Sequence, residues 1–141
     1  MKARTVATVL TCLLLAGNVY AGRHFTPDFH DAPGLATATT GQDRPILLLF
    51  TAPWCTACEG VKRNILADSS AETVLRQFTT VEINIEQSAA EESLAETWNV
   101  SALPTLVVLH PDGASSRYDG RLERKPLLRW LESQAIVKGP R

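Results

Sequence analysis

The chain has 141 residues, 45% of them apolar, 21% charged and 6% aromatic, a balance that suits one globular domain and excludes a disordered or fibrous chain. Its 14 Lys and Arg against 15 Asp and Glu exclude the dense positive field of a nucleic-acid surface, and no apolar run reaches the ~18 residues a spanning helix needs. Three cysteines are too few for a disulfide-framework miniprotein or a four-cysteine zinc site.

Residues 1–21 read as a secretory signal peptide. Lys2 and Arg4 form the positive end, Val6 to Gly17 the apolar stretch, and Val19-Tyr20-Ala21 the small-residue cleavage site. At 1.5 Å per residue that stretch is too short for a hydrocarbon core of ~30 Å. A retained membrane anchor is the alternative. Cys12 falls inside the stretch without the small residue that a lipoprotein site wants before it, so it leaves with the leader. Cys55 and Cys58 then remain, expected in an oxidising export compartment, the periplasm, where thiols do not stay reduced unaided.

Residues 22–44 form an N-terminal extension, irregular over 22–33, with a weak helical stretch from Gly34 to Thr40. From Pro45 onward the chain reads as one domain, 45–141. Ile46-Leu47-Leu48-Leu49-Phe50 is a continuous apolar run of strand length, the pattern of a strand buried on both faces. A helix follows from about Cys55 to Ala67. Ser69 and Glu72 have capping-box spacing and open a second helical stretch with Val74, Leu75 and Phe78 on its apolar face. Val81-Glu82-Ile83-Asn84-Ile85 alternates as a strand does. Ser88 and Glu91 repeat the capping-box spacing, with Ala90, Leu94 and Trp98 spaced as one helix face. Thr105–Leu109 is another buried-type strand, turning at Pro111-Asp112-Gly113 into an antiparallel partner near Ser116–Asp119. A last helix from about Glu123 to Ile136 buries Leu127, Leu128, Trp130 and Leu131, with Pro126 tolerated in its first turn. The order is β-α-β-α-β-β-α after the extension, an α/β fold whose first strand–helix–strand unit is a parallel crossover.

The chemistry concentrates in Trp54-Cys55-Thr56-Ala57-Cys58, directly after a buried strand and opening a helix. Two cysteines so spaced can close a small, labile disulfide. The strand-to-helix junction sets the first sulfur against unpaired backbone N–H groups at the positive end of the helix dipole, which favours thiolate. The second sulfur lies one turn further in, more shielded and placed to attack a mixed disulfide. Half a zinc site and a purely structural disulfide are the competing readings. His24, His30 and His110 show no ligand spacing, and so short a closed loop stabilises little.

Phe50-Thr51-Ala52-Pro53-Trp54-Cys55-Thr56-Ala57-Cys58, joined to Val100-Ser101-Ala102-Leu103-Pro104-Thr105, resembles the thioredoxin superfamily. Within it the chain is most similar to the secreted reductase branch, including the periplasmic thioredoxin-like domain of DsbD-type electron transporters. The resemblance implies a thioredoxin fold, a central mixed β-sheet flanked by helices, with Cys55 and Cys58 as the catalytic pair. It also implies a cis proline at Pro104 beside that pair, and a Leu103 backbone that pairs with an extended substrate strand. Trp54 is then a substrate-contact residue as well as a shield over the sulfurs; a plain core role is the alternative.

Two departures stand out. Thioredoxins commonly place a buried Asp six residues before the first cysteine, and this chain has Leu49. The position after the second cysteine, often basic in such proteins, is Glu59, whose charge one turn beyond Cys55 opposes thiolate and makes it a pKa-tuning residue. Lys62 and Arg63 push weakly the other way. A moderately acidic Cys55 suits a reductant better than a strong oxidant.

The expectation is therefore an exported thiol–disulfide oxidoreductase acting on protein disulfides, with no bound cofactor or metal and a membrane thiol electron donor. A disulfide oxidase or isomerase is the alternative within the same chemistry. A metal-binding or chaperone module using the cysteine pair as ligands is the alternative outside it. Charge is uneven along the chain: Glu82, Glu86, Glu91, Glu92 and Glu96 fall between Arg76 and Arg117 with no Lys or Arg among them. They read as a solvated acidic face or as a steering surface for a charged partner.

Overall fold

A computed structural model describes residues 25–30 and 43–135; the leader, the stretch Gly34–Thr40, His24 and Ile136 lie outside them. In chain order the elements are β1 (Phe29–His30), β2 (Ile46–Thr51), α1 (Thr56–Val61, prolonged by a π-helical turn over Lys62–Leu66), α2 (Ser69–Leu75) and β3 (Thr79–Asn84). Then come α3 (Ala89–Thr97), β4 (Thr105–Leu109), β5 (Ser115–Arg117) and α4 (Arg124–Ala135). The five strands form one mixed sheet in the order β1-β3-β2-β4-β5. β3 runs parallel to β1 and β2, while β4 runs antiparallel to β2 and β5.

β2 is central because its sequence is apolar at every position of Ile46–Phe50, and all six of its residues are buried. Alternate residues serve opposite layers. Leu47 and Leu49, with Leu106 and Val108 of β4, meet Val61, Ile65 and Leu66 after the cysteines, Val74 and Leu75 of α2, and Leu127 and Leu131 of α4. Ile46, Leu48 and Phe50, with Val81, Ile83 and Val107, form the other layer, covered by Ala95 of α3 with Leu94 and Trp98 at its margin. Each fully buried Leu or Phe contributes roughly 1.5–3 kcal/mol. A sheet held from both faces gives the loops at the end of β2 a rigid base.

Several local expectations are corrected. Phe29–His30, read as irregular, is a strand beside β3, with the Thr80 hydroxyl donating to the Asp28 carbonyl. α2 is capped by Asp68, whose carboxylate accepts from the Ser70 N–H at 2.9 Å, so Ser69 is its first residue rather than its cap. Ser88 does cap α3, accepting from the Ala90 N–H at 3.2 Å, but the inward face runs through Glu91, Leu94, Ala95 and Trp98, and Ala90 is exposed. Glu91 is therefore no part of a solvated acidic face: it is buried, and the Ser88 hydroxyl donates to it. The Ser116–Asp119 strand starts and stops earlier, at Ser115–Arg117. In α4 only Leu127 and Leu131 are buried; Leu128 and Trp130 are half-buried, and Trp130 packs on Tyr118 with ring centroids 5.1 Å apart. Pro126 does sit in the first turn of α4. Among the described residues no helix is long and apolar enough to cross a membrane.

Candidate active site

The chain leaves β2 at Thr51 and turns through Ala52-Pro53-Trp54, the Cys55 N–H donating to the Ala52 carbonyl at 3.0 Å. Cys55 is the N-cap of α1 in an extended conformation (φ −81°, ψ 90°). Its Sγ accepts a hydrogen bond from the Cys58 backbone N–H at 3.2 Å. Its carbonyl accepts from the N–H groups of Cys58 and Glu59, at 3.1 and 3.3 Å. A sulfur thus stands where a Ser or Asp oxygen usually caps a helix. The same donor and the helix dipole favour negative charge on that atom when the disulfide is open.

Cys55 and Cys58 are joined by a disulfide, with their Cα atoms 5.3 Å apart. The pair is more enclosed than an exposed nucleophile would be: Cys55 is 5% exposed and Cys58 not at all. The reason lies in the neighbours. Ala52 shares a buried cluster with both cysteines, and Ile85 and Leu103 pack against it. The difference between the two still leaves Cys55 as the residue nearer to solvent. Around it Pro53, Trp54, Thr56 and Ala57 are all exposed.

Leu103 arrives from the loop before β4, where the Leu103–Pro104 peptide bond is cis. The Thr105 hydroxyl donates back to the Ala102 carbonyl at 2.7 Å and braces this turn. Pro104 is half-buried at the start of β4. Trp54, 65% exposed, is not core; its indole N–H donates to Glu86 Oε1 at 2.6 Å, just beyond the end of β3. The structure thus gathers Cys55, Cys58 and Leu103 into one cluster, with Trp54 on its rim.

Glu59 does not stand as an open negative charge on α1. Lys62 Nζ lies 2.7 Å from its Oε1, and Arg63 Nε 3.3 Å from its Oε2. The hydrogen bond from Lys62, then the charges of Lys62 and Arg63, hold the Glu59 carboxyl below its ordinary value. Lys62 also reaches Glu82 of β3 at 2.9 Å. Burial alone pulls the Lys62 ammonium down, but its bonds to Glu59 and Glu82 outweigh that and hold it above its ordinary value. At the position of the commonly buried Asp, Leu49 is fully buried and apolar, and its register neighbour on β3 is Glu82. Ile85 and Glu82 were not legible as site residues, because their contacts cross between elements and leave no trace in local spacing; Lys62 was legible as a counter-charge to Glu59, but its reach to Glu82 was not. Among the described residues no group of three or more His, Cys, Asp or Glu side chains is placed to hold a metal ion.

This geometry suits dithiol–disulfide exchange: a capped, shielded pair, one cysteine nearer solvent, beside an apolar shelf. Comparisons with known proteins agree. Residues 35–135 match the family model of the thioredoxin-like domain. The chain is 27% identical over 97 residues to the thiol:disulfide interchange protein DsbD of Actinobacillus pleuropneumoniae, covering 66% of this chain but 17% of that protein. It is 31% identical over 96 residues to the chloroplastic thioredoxin Y2 of Arabidopsis thaliana, covering 68% of this chain and 54% of the relative. Among solved structures, the oxidised DsbD C-terminal domain of Neisseria meningitidis superposes with a TM-score of 0.61 at 20% identity, over 75% of this chain and 97% of that one. A thioredoxin from Thermus thermophilus gives 0.65 at 21% identity, over 79% and 89%. The chain thus spans about a sixth to a half of the curated relatives it matches, and the structural likeness is one of fold. On the match across residues 35–135, this chain belongs to the thioredoxin-like domain family.

Proposed function

We propose that this protein is an exported thiol–disulfide oxidoreductase that reduces disulfides of other proteins. The observation that carries the reading is the capping of α1 by the Cys55 sulfur, with Cys58 enclosed one turn inside. Cys55 is the nucleophile. Its thiolate attacks one sulfur of a substrate disulfide; that S–S bond breaks, a Cys55–substrate bond forms, and the freed substrate sulfur takes up a proton. Cys58, after losing its proton, attacks Cys55 Sγ, which closes the Cys55–Cys58 disulfide and releases the second substrate thiol. Two electrons pass to the substrate, and a dithiol donor returns the pair to its reduced form by the same exchange in reverse.

Trp54, Leu103 and Pro104 form the substrate shelf, Leu103 offering backbone to an extended segment of the substrate. Glu59 holds Cys55 to moderate acidity only as far as Lys62 and Arg63 leave its charge uncovered, a weak effect on the side of the reducing direction. The signal-peptide pattern of residues 1–21 supports export to a periplasm, and the interchange proteins among the relatives support a membrane thiol donor. Reduction of insulin disulfides by the wild type, abolished in Cys55→Ser, tests the activity. A reduction potential near about −270 mV supports a reductase, and one near about −120 mV an oxidase.

A further inference from the structure

Lys62 is the third residue after Glu59 and the fourth after Cys58, and it stands where α1 changes register. Its N–H donates to the carbonyls of Cys58 and Glu59, and its own carbonyl accepts from the Ala67 N–H at 2.8 Å in the π turn. Its ammonium lies between two carboxylates, 2.7 Å from Glu59 and 2.9 Å from Glu82. Glu82 pairs in register with Leu49, so its side chain rises on the sheet face that α1 covers. The Lys62 and Glu82 side chains are 25% and 28% exposed, so water screens this bridge less than the surface pair of Arg76 and Glu72.

We propose that Lys62 is a positioning residue for the cysteine pair: by bridging Glu59 on α1 to Glu82 on β3, it takes up the carboxylate charge one turn beyond Cys55 and keeps the Cys55 thiolate available. The inference rests on the exchange reading of Cys55 and extends it to a residue that touches neither sulfur nor substrate. Among the described residues, charged groups face the cysteine helix from several sides, Glu123 and Lys125 across a surface pocket they share with Ala57, Gly60 and Val61. Glu59, Lys62 and Arg63 come from the helix itself, Glu82 from β3, and Glu86 from beyond β3 through Trp54. Arg124 of α4 meets the far end, at the Asn64 carbonyl and Asp68. Among the described residues, Glu59 without Lys62 keeps only the exposed Arg63 as an ion-pair partner, and Glu82 keeps none.

The test reads Cys55 directly, by iodoacetamide alkylation of the full reduced chain across pH with peptide mass mapping, alongside its reduction potential against a glutathione couple. In Lys62→Met, Cys55 loses about threefold of its thiolate at pH 7, and the potential becomes more negative. Lys62→Arg preserves both values. Glu59→Gln shifts Cys55 little in the native background and restores it in Lys62→Met, the non-additivity that a shared charge produces. Should Lys62→Met not fold, Lys62→Met/Glu82→Gln, which leaves Glu59 uncovered, is expected to have less thiolate than Lys62→Met/Glu59→Gln. An unmoved titration in these variants, or a Glu59→Gln shift of equal size in both backgrounds, overturns the proposal even where stability falls. The titration does not depend on turnover; failure of the wild type to reduce insulin would instead sink the exchange reading.

Discussion

The indole N–H of Trp54 is tied to the carboxylate of Glu86 across the end of the sheet, at 2.6 Å, so that a ring 65% exposed is nevertheless held in one place. An apolar surface that is fixed but uncovered beside a redox pair is suited to contact with a partner rather than to stability.

Trp54→Ala is therefore expected to change the unfolding free energy by no more than about 0.5 kcal/mol, as for surface positions generally. Its rate with a folded protein disulfide should fall by about tenfold, while reduction of a small aromatic disulfide stays within about twofold. Parallel steady-state assays with the two substrates and a urea melt check this. Equal losses on both would point to an effect on the sulfurs themselves.

Gly120 lies under the Tyr118 ring, where an added Cβ would sit 2.6 Å from the hydroxyl oxygen. That ring cannot simply swing away, because its hydroxyl donates to the Arg121 carbonyl at 2.6 Å and it packs on Trp130. Gly120→Ala should cost about 1–3 kcal/mol by overpacking. In a Tyr118→Ala background the same change should cost less than half as much. Chemical denaturation of the four proteins closes the cycle.

The acid limb of stability should report the Lys62 bridge. The Glu59 carboxyl is held below its ordinary 4.5, so its contribution to folding is complete above that value and is lost as pH falls through its folded value. Lys62 is held above 10.5, so its contribution is complete below that and is lost only as pH rises through its folded value. The difference in urea midpoint between wild type and Lys62→Met should thus be constant from about pH 6 to 9 and shrink below about pH 4.5. A difference that persists at pH 3 would assign the effect to packing of the lysine stem.

These predictions draw on features that differ in how far the sequence discloses them. The run Ile46–Phe50 announces a two-face buried strand because every position is apolar, and Trp54–Cys58 follows it at the only kind of place where a sulfur can cap a helix. Ser88 likewise announces the start of α3. The two-residue β1 is too short to show a period, and its pairing is supplied by the edge of β3. At α2 a carboxylate one residue earlier took the cap from Ser69, a competition that spacing alone does not decide. Glu91 carries the charge of a surface residue but lies on the inward side of α3, where the Ser88 hydroxyl meets it. The Lys62–Glu82 bridge joins residues 20 apart on a helix and a strand, so only the folded sheet reveals it. The enclosure of Cys55 has the same origin, since Ile85 and Leu103 reach it from elements distant in the chain.

The most direct test of the account is covalent capture with Cys58→Ser. With the resolving sulfur gone, the account predicts a protein partner joined through Cys55, stable in SDS, released by dithiothreitol, and lost in the Cys55→Ser/Cys58→Ser double variant. Capture through the sulfur of Cys58 in a Cys55→Ser protein, with none through Cys55, would contradict it.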